Sequence, residues 1–113
     1  MSDWKVEFYQ DIKGNRPVED FMETLPASKK ARALRLIEVL KDFGIKLGKP
    51  YVKHIDGKLW EFRPGSERVF YFLYTGRKFV LVHAITKKSK KTPKQAIKIS
   101  KKRMQDYEQR SKN

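Results

Sequence analysis

Trp4, Val6 and Phe8 alternate with Lys5, Glu7 and Tyr9, the two-residue rhythm of a strand with one wetter face. Asp11 to Asn15 (DIKGN) is turn chemistry. Arg16-Pro17 then opens a short helix to about Leu25, because proline suits the first helical position. Val18, Phe21, Met22 and Leu25 are its apolar stripe, and Pro26 ends it. A second helix is expected from about Ala27 or Ser28 to Phe43, with Ala31, Leu34, Ile37, Val39 or Leu40, and Phe43 at helical spacing and Gly44 as the stop. Ile45 to Gly57 reads as a loop containing His54. Lys58 to Arg63 (KLWEFR), Glu67 to Tyr74 (ERVFYFLY) and Lys78 to Ile85 (KFVLVHAI) read as three strands joined by tight turns at Pro64-Gly65-Ser66 and Thr75-Gly76. Thr92-Pro93-Lys94-Gln95 has the form of a capping box, and a final helix should run from Pro93 to about Tyr107. The order β-α-α-β-β-β-α predicts an α+β domain over residues 1–113: a small antiparallel sheet with two N-terminal helices packed on one face.

The turns set a register. A four-residue connection from Pro64 to Glu67 pairs Arg63 with Arg68, Glu61 with Phe70 and Leu59 with Phe72. A two-residue turn at Gly76-Arg77 pairs Tyr74 with Phe79, Phe72 with Leu81, Phe70 with His83 and Arg68 with Ile85. One face then carries Trp60, Phe62, Val69, Tyr71, Leu73, Val80, Val82 and Ala84, and is assigned to the helical core. On the other, the polar members Glu61, Arg63, Arg68 and His83 gather around Phe70 at one end. A structural ion pair of Glu61 and Arg63 with Arg68 is the competing reading.

Charge sharpens this picture. The chain has 113 residues and a net charge of +14. Residues 1–56 hold eleven Lys/Arg against nine Asp/Glu, and residues 57–113 hold sixteen against four. From Thr86 to Arg103 there are nine basic residues and no acid. A folded surface with that much unpaired charge repels itself and normally meets a polyanion. Lys87, Lys90, Lys91 and Lys94 are therefore the expected phosphate contacts, with Phe70 as a ring on which a base could stack. The absence of cysteine excludes disulfides and thiolate metal sites. No apolar run approaches the ~18 residues of a membrane span and no signal-peptide core is present, so a soluble cytoplasmic protein is expected.

No H-E-x-x-H, Walker loop, dinucleotide fingerprint or carboxylate cluster appears, so neither a metal nor a cofactor is expected. RNA cleavage by its own 2′-hydroxyl needs only a base, cations around the pentacoordinate phosphate and an acid for the leaving 5′-oxygen. Glu61 or His83 is the candidate base or acid. Arg63, Arg68 and Lys88 are the candidate phosphate holders, since guanidinium forks match two phosphate oxygens. A lysine whose pKa is lowered by neighbouring cations is a further candidate acid.

The stretch KLWEFRPGSERVFYFLYTGRKFVLVHAITKKSKKTPKQAI resembles the phage-derived HigB-like branch of the RelE/ParE toxins. The resemblance lies in an L-W-E-F-R strand, an R-V-F-Y-F strand, a short turn, an apolar strand ending near His83, and K-K-x-x-K-T-P before a helix. It implies a toxin of a type II toxin–antitoxin pair, a metal-free, ribosome-dependent mRNA endoribonuclease. It implies as partners the ribosome, mRNA and a helix-turn-helix antitoxin of the HigA or Xre kind. The phosphate-binding strand arginine of such toxins matches Arg68, and a basic residue after the last strand falls near Lys87 or Lys88. The lysines that RelE places on the preceding strand are replaced by Leu59 and Glu61, and its tyrosine beyond the last strand by lysine. The competing readings are a ParE-like gyrase-inhibiting toxin of the same fold and a non-catalytic RNA- or DNA-binding module.

Overall fold

In the computed structural model, which describes residues 4–48, 51–87 and 91–112, strand β1 (Lys5–Phe8) precedes helices α1 (Pro17–Glu23) and α2 (Ala27–Phe43). A 3-10 turn, Gly44–Lys46, closes α2. Strands β2 (Val52–Asp56), β3 (Leu59–Phe62), β4 (Glu67–Leu73) and β5 (Lys78–Thr86) follow, and helix α3 (Lys94–Arg110) comes last. The strands form one sheet in the order β1-β5-β4-β3-β2.

The α+β architecture matches expectation, but the sheet differs in two ways. It is mixed, because β1 runs parallel to β5 while the other neighbours are antiparallel. It also contains β2, where a loop was expected. Only Val52 is buried in that strand, while Lys53, His54 and Asp56 are exposed. An edge strand with one buried residue shows no hydrophobic alternation; its hydrogen bonds to β3 make it a strand. Gly57, at φ +54°, turns β2 into β3, a conformation glycine adopts without steric cost.

The β3–β4 register is the one the turn dictates: Leu59 faces Phe72 and Glu61 faces Phe70. Between β4 and β5, Arg68 faces Ile85 and Phe70 faces His83, but a bulge then pairs Tyr71 with Leu81, Phe72 with Val80 and Leu73 with Phe79. Val82 is the extra residue. Beyond it every β5 side chain changes face. Phe79 and Leu81 join the α1/α2 core with Phe62, Val69, Tyr71 and Ala84, whereas Val80 and Val82 lie on the opposite side with Phe70 and Phe72. The expected placement of Val80 and Val82 beneath the helix pair is therefore corrected. Trp60 keeps its expected face, opposite Tyr71, but is 37% exposed beside His54 instead of buried.

The buried stripe of α2 is Ala33, Ile37 and Leu40; Leu34 and Phe43 point outward. Helix α3 covers the second face through Ala96 and Tyr107, closing a core with Tyr9, Leu59, Phe70, Phe72, Val80 and Val82. Burying each such large apolar side chain contributes roughly 1.5–3 kcal/mol. Polar ties fix the helix: the Tyr9 hydroxyl donates to Asp106 and the Tyr107 hydroxyl to Glu7. The capping box does not form. Pro93 is the N-cap residue of α3, with no side-chain cap bond, and the Thr92 hydroxyl is used elsewhere.

Candidate nucleic-acid interface

Glu61 lies mid-strand in β3 on the α3 face and is completely buried. A buried carboxylate needs partners for both oxygens. Oε1 accepts from Arg63 Nε at 2.9 Å and lies 3.9 Å from Arg68 Nε. Oε2 accepts from the Thr92 hydroxyl at 3.0 Å, a bond that ties the approach to α3 onto β3.

Two guanidiniums thus converge on one oxygen. Arg68 is held further by its Nη1, which donates to the carbonyls of Gly65 (2.6 Å) and Glu67 (2.8 Å). Its buried Nε makes no hydrogen bond among the described residues. Such an unmet donor costs about 1–3 kcal/mol, offset in part here by the Glu61 carboxylate 3.9 Å away. Burial lowers the Arg68 pKa, with Glu61 opposing the effect.

Lys87 completes the group. Its main-chain N–H donates to the Ser66 carbonyl at 2.9 Å, pinning the end of β5 against the β3–β4 turn. Desolvation, then the charges of Arg68 and Arg63, push its ammonium pKa downward against the opposing charge of Glu61, with a smaller push from Lys53 of β2. The site therefore carries a carboxylate beneath two arginines and a lysine whose proton is loosened.

His83 sits in the same row across the sheet, since Phe70 pairs with both Glu61 and His83. Its ring stacks on Phe70 at 5.9 Å between centroids. Arg103 of α3 donates from Nη1 to the carbonyl of Val82, the bulge residue, and lies 3.0 Å from His83 Nδ1. Arginine only donates, so Nδ1 is the acceptor and Nε2 carries the hydrogen. Burial, with Arg103 beside it, lowers the His83 pKa from 6.5 to about 4. The ring is a neutral hydrogen-bond donor near pH 7.

Some expected roles change with these positions. Phe70 is fully buried and serves the core, so it offers no open face to a base. Glu61 has both oxygens bonded and no exposed surface, so its carboxylate faces Arg63 and Thr92 and not solvent. Lys91 and Lys94 are exposed before and at the start of α3. Lys88 and Lys90 lie outside the described residues. Thr92, Arg103 and Lys53 were not anticipated as site residues. Thr92 was read as a cap and Arg103 only as charge, although each stands beside a buried polar group that needed a partner. Among the described residues, no three His, Cys, Asp or Glu side chains come together as a metal-ligand set. No helix there is long and apolar enough to cross a membrane. An open depression of about 690 Å³ between the β1–α1 loop and the end of α3 is lined by Glu7, Asp11, Lys78 and Arg110 among others, and shares no residue with the cation cluster.

A model of the phage-derived Gp49-like proteins matches residues 20–105. No curated protein matches the chain. Among solved structures, a chain of the archaeal RelE–RelB complex from Pyrococcus horikoshii OT3 superimposes with a TM-score of 0.58 and 19% identity, covering 76% of this chain and 96% of that one. At that identity the likeness concerns the fold, which is RelE-like.

Proposed function

We propose that this chain, which belongs to the Gp49-like family of phage-derived proteins, is the toxin of a type II toxin–antitoxin pair and cleaves mRNA on the ribosome. The observation that carries the reading is the convergence of Arg63 and Arg68 on Glu61 Oε1 beside Lys87. Paired guanidiniums suit a phosphodiester that gains negative charge as the 2′-oxygen attacks. In the reaction the 2′-oxygen–phosphorus bond forms, the phosphorus–5′-oxygen bond breaks, and a cyclic phosphate and a free 5′-hydroxyl result. Arg63 and Arg68 hold the non-bridging oxygens. Lys87 gives its proton to the leaving 5′-oxygen, and the 2′-hydroxyl proton leaves to water. Glu61 and Thr92 keep the arginines in place, and His83 offers its Nε2–H as a neutral donor. Lys88 and Lys90 belong to the same basic segment, which Lys91 and Lys94 extend along the phosphate chain.

The RelE-like fold and the K-K-x-x-K-T-P sequence before α3 support placement in the HigB-like branch. The solved relative is a complex with RelB. By analogy the partner here is a small antitoxin, of helix-turn-helix type in this branch, that covers the basic hollow. The ribosome supplies both the polyanion that docks the protein and the oriented message, which places the activity in the cytoplasm.

Induction of the protein in cells, followed by message integrity, tests the reading. Rapid loss of translated messages is expected. Intact messages with broken DNA would overturn it in favour of a gyrase-directed toxin, and intact messages with intact DNA in favour of a binding module.

A further inference from the structure

Gly65, in the turn between β3 and β4, is flanked by two guanidiniums. Arg68 Nη1 donates to its carbonyl from the α3 face. From α2, on the other face, Arg32 reaches so close that a Cβ built on Gly65 would lie 2.7 Å from Arg32 Nη1. At φ +97° with no side chain, Gly65 leaves that space to the arginine.

The acids nearby do not balance this charge. Glu61 is shared by Arg63 and Arg68. Glu67 is buried behind the turn, where it accepts from the Ser66 hydroxyl and lies 3.8 Å from Lys29 Nζ. Arg32 is exposed and has no acidic partner among the described residues. The first turn of α2 contains Lys29 and Lys30, no acid and no side-chain cap bond. Lys30 is met by Glu23 of α1 at 2.6 Å and Lys29 faces the buried Glu67, so of these α2 cations it is Arg32 whose charge has no acidic partner among the described residues.

We infer that Arg32, supported by Lys29, forms a second phosphate-binding site that continues the Arg63–Arg68–Lys87 hollow across Gly65. The RNA strand is thus gripped on both sides of the β3–β4 turn. This inference rests on the RNA-cleavage reading, and a separate substitution distinguishes the two.

The test is the salt dependence of binding to an unstructured single-stranded oligouridine by the full chain and its variants. Each lost phosphate contact lowers the slope of log affinity against log salt by about 0.7. Arg32→Gln should lose that amount, and Arg32→Lys, which keeps the charge, should retain most of the slope. Lys46→Gln is the control: it removes an exposed charge beyond the far end of α2, roughly 20 Å along the helix axis. An Arg32→Gln slope equal to that of wild type or of Lys46→Gln overturns the second site. If Arg68→Ala reduces the slope while Arg32→Gln does not, only the second site falls. If Arg68→Ala changes neither slope nor cleavage, the RNA-cleavage reading falls.

Discussion

With Glu61 removed, the guanidiniums of Arg63 and Arg68 would confront each other across an empty, fully buried position, with Lys87 close by. Breaking a buried ion pair by deleting one partner typically costs about 3–5 kcal/mol, because the remaining charge stays desolvated. Glu61→Ala is therefore expected to lose stability of that order in urea unfolding. A loss below about 1 kcal/mol would show that the carboxylate does not hold the arginines. His83 gives a pH signature. Its folded pKa is near 4, below the ordinary 6.5, so between these values the unfolded chain binds a proton that the folded one refuses. Stability should fall as pH drops from 6.5 toward 4 and be fully present above 6.5. In His83→Gln that part of the decline should disappear, as unfolding at pH 7 and pH 5 would show.

The β3–β4 turn and the approach to α3 set where those residues stand. Gly65 has a left-handed φ and a guanidinium where a Cβ would go, so Gly65→Ala is expected to cost about 1–2 kcal/mol and to displace Arg32. Thr92→Val keeps the side-chain shape but removes the donor to Glu61 Oε2, and about 1–2 kcal/mol of stability should go with it. Thermal or urea unfolding of each variant measures these losses. At this scale the β3–β4 turn gave the register correctly and Glu61 faces Phe70, whereas the turn before β5 is one residue longer than expected and Phe70 meets His83 only because the Val82 bulge restores the register. It was not legible where long-range structure decided. The Val82 bulge, which moves Val80 to the α3 side, is tied down by Arg103 from a helix twenty residues away. Strand β2 has only Val52 to bury, and the Asp56-Gly57 pair before β3 was its one clear signal. Thr92 satisfies the local pattern of a cap, but the buried Glu61 claims its hydroxyl, and no local pattern reveals that competition.

Across the whole molecule, the charge asymmetry and the fold agree. Sixteen of the basic residues belong to residues 57–113; Lys58, Lys78, Lys101 and Arg110 are paired with acids elsewhere, while Arg63, Arg68 and Lys87 gather at the β3–β4 turn. Lysines and arginines there should make association with ribosomes fall steeply with salt; sedimentation at graded salt would show a flat response if the surface were idle. The α+β class could be read from hydrophobic period alone, whereas the cation cluster needed the register and the chemistry of its buried carboxylate needed the fold. If Arg68 holds the scissile phosphodiester, primer extension on a translated message should show discrete cuts with the wild-type chain and their loss with Arg68→Ala at equal expression and folding; undiminished cuts with a folded Arg68→Ala would show that it does not.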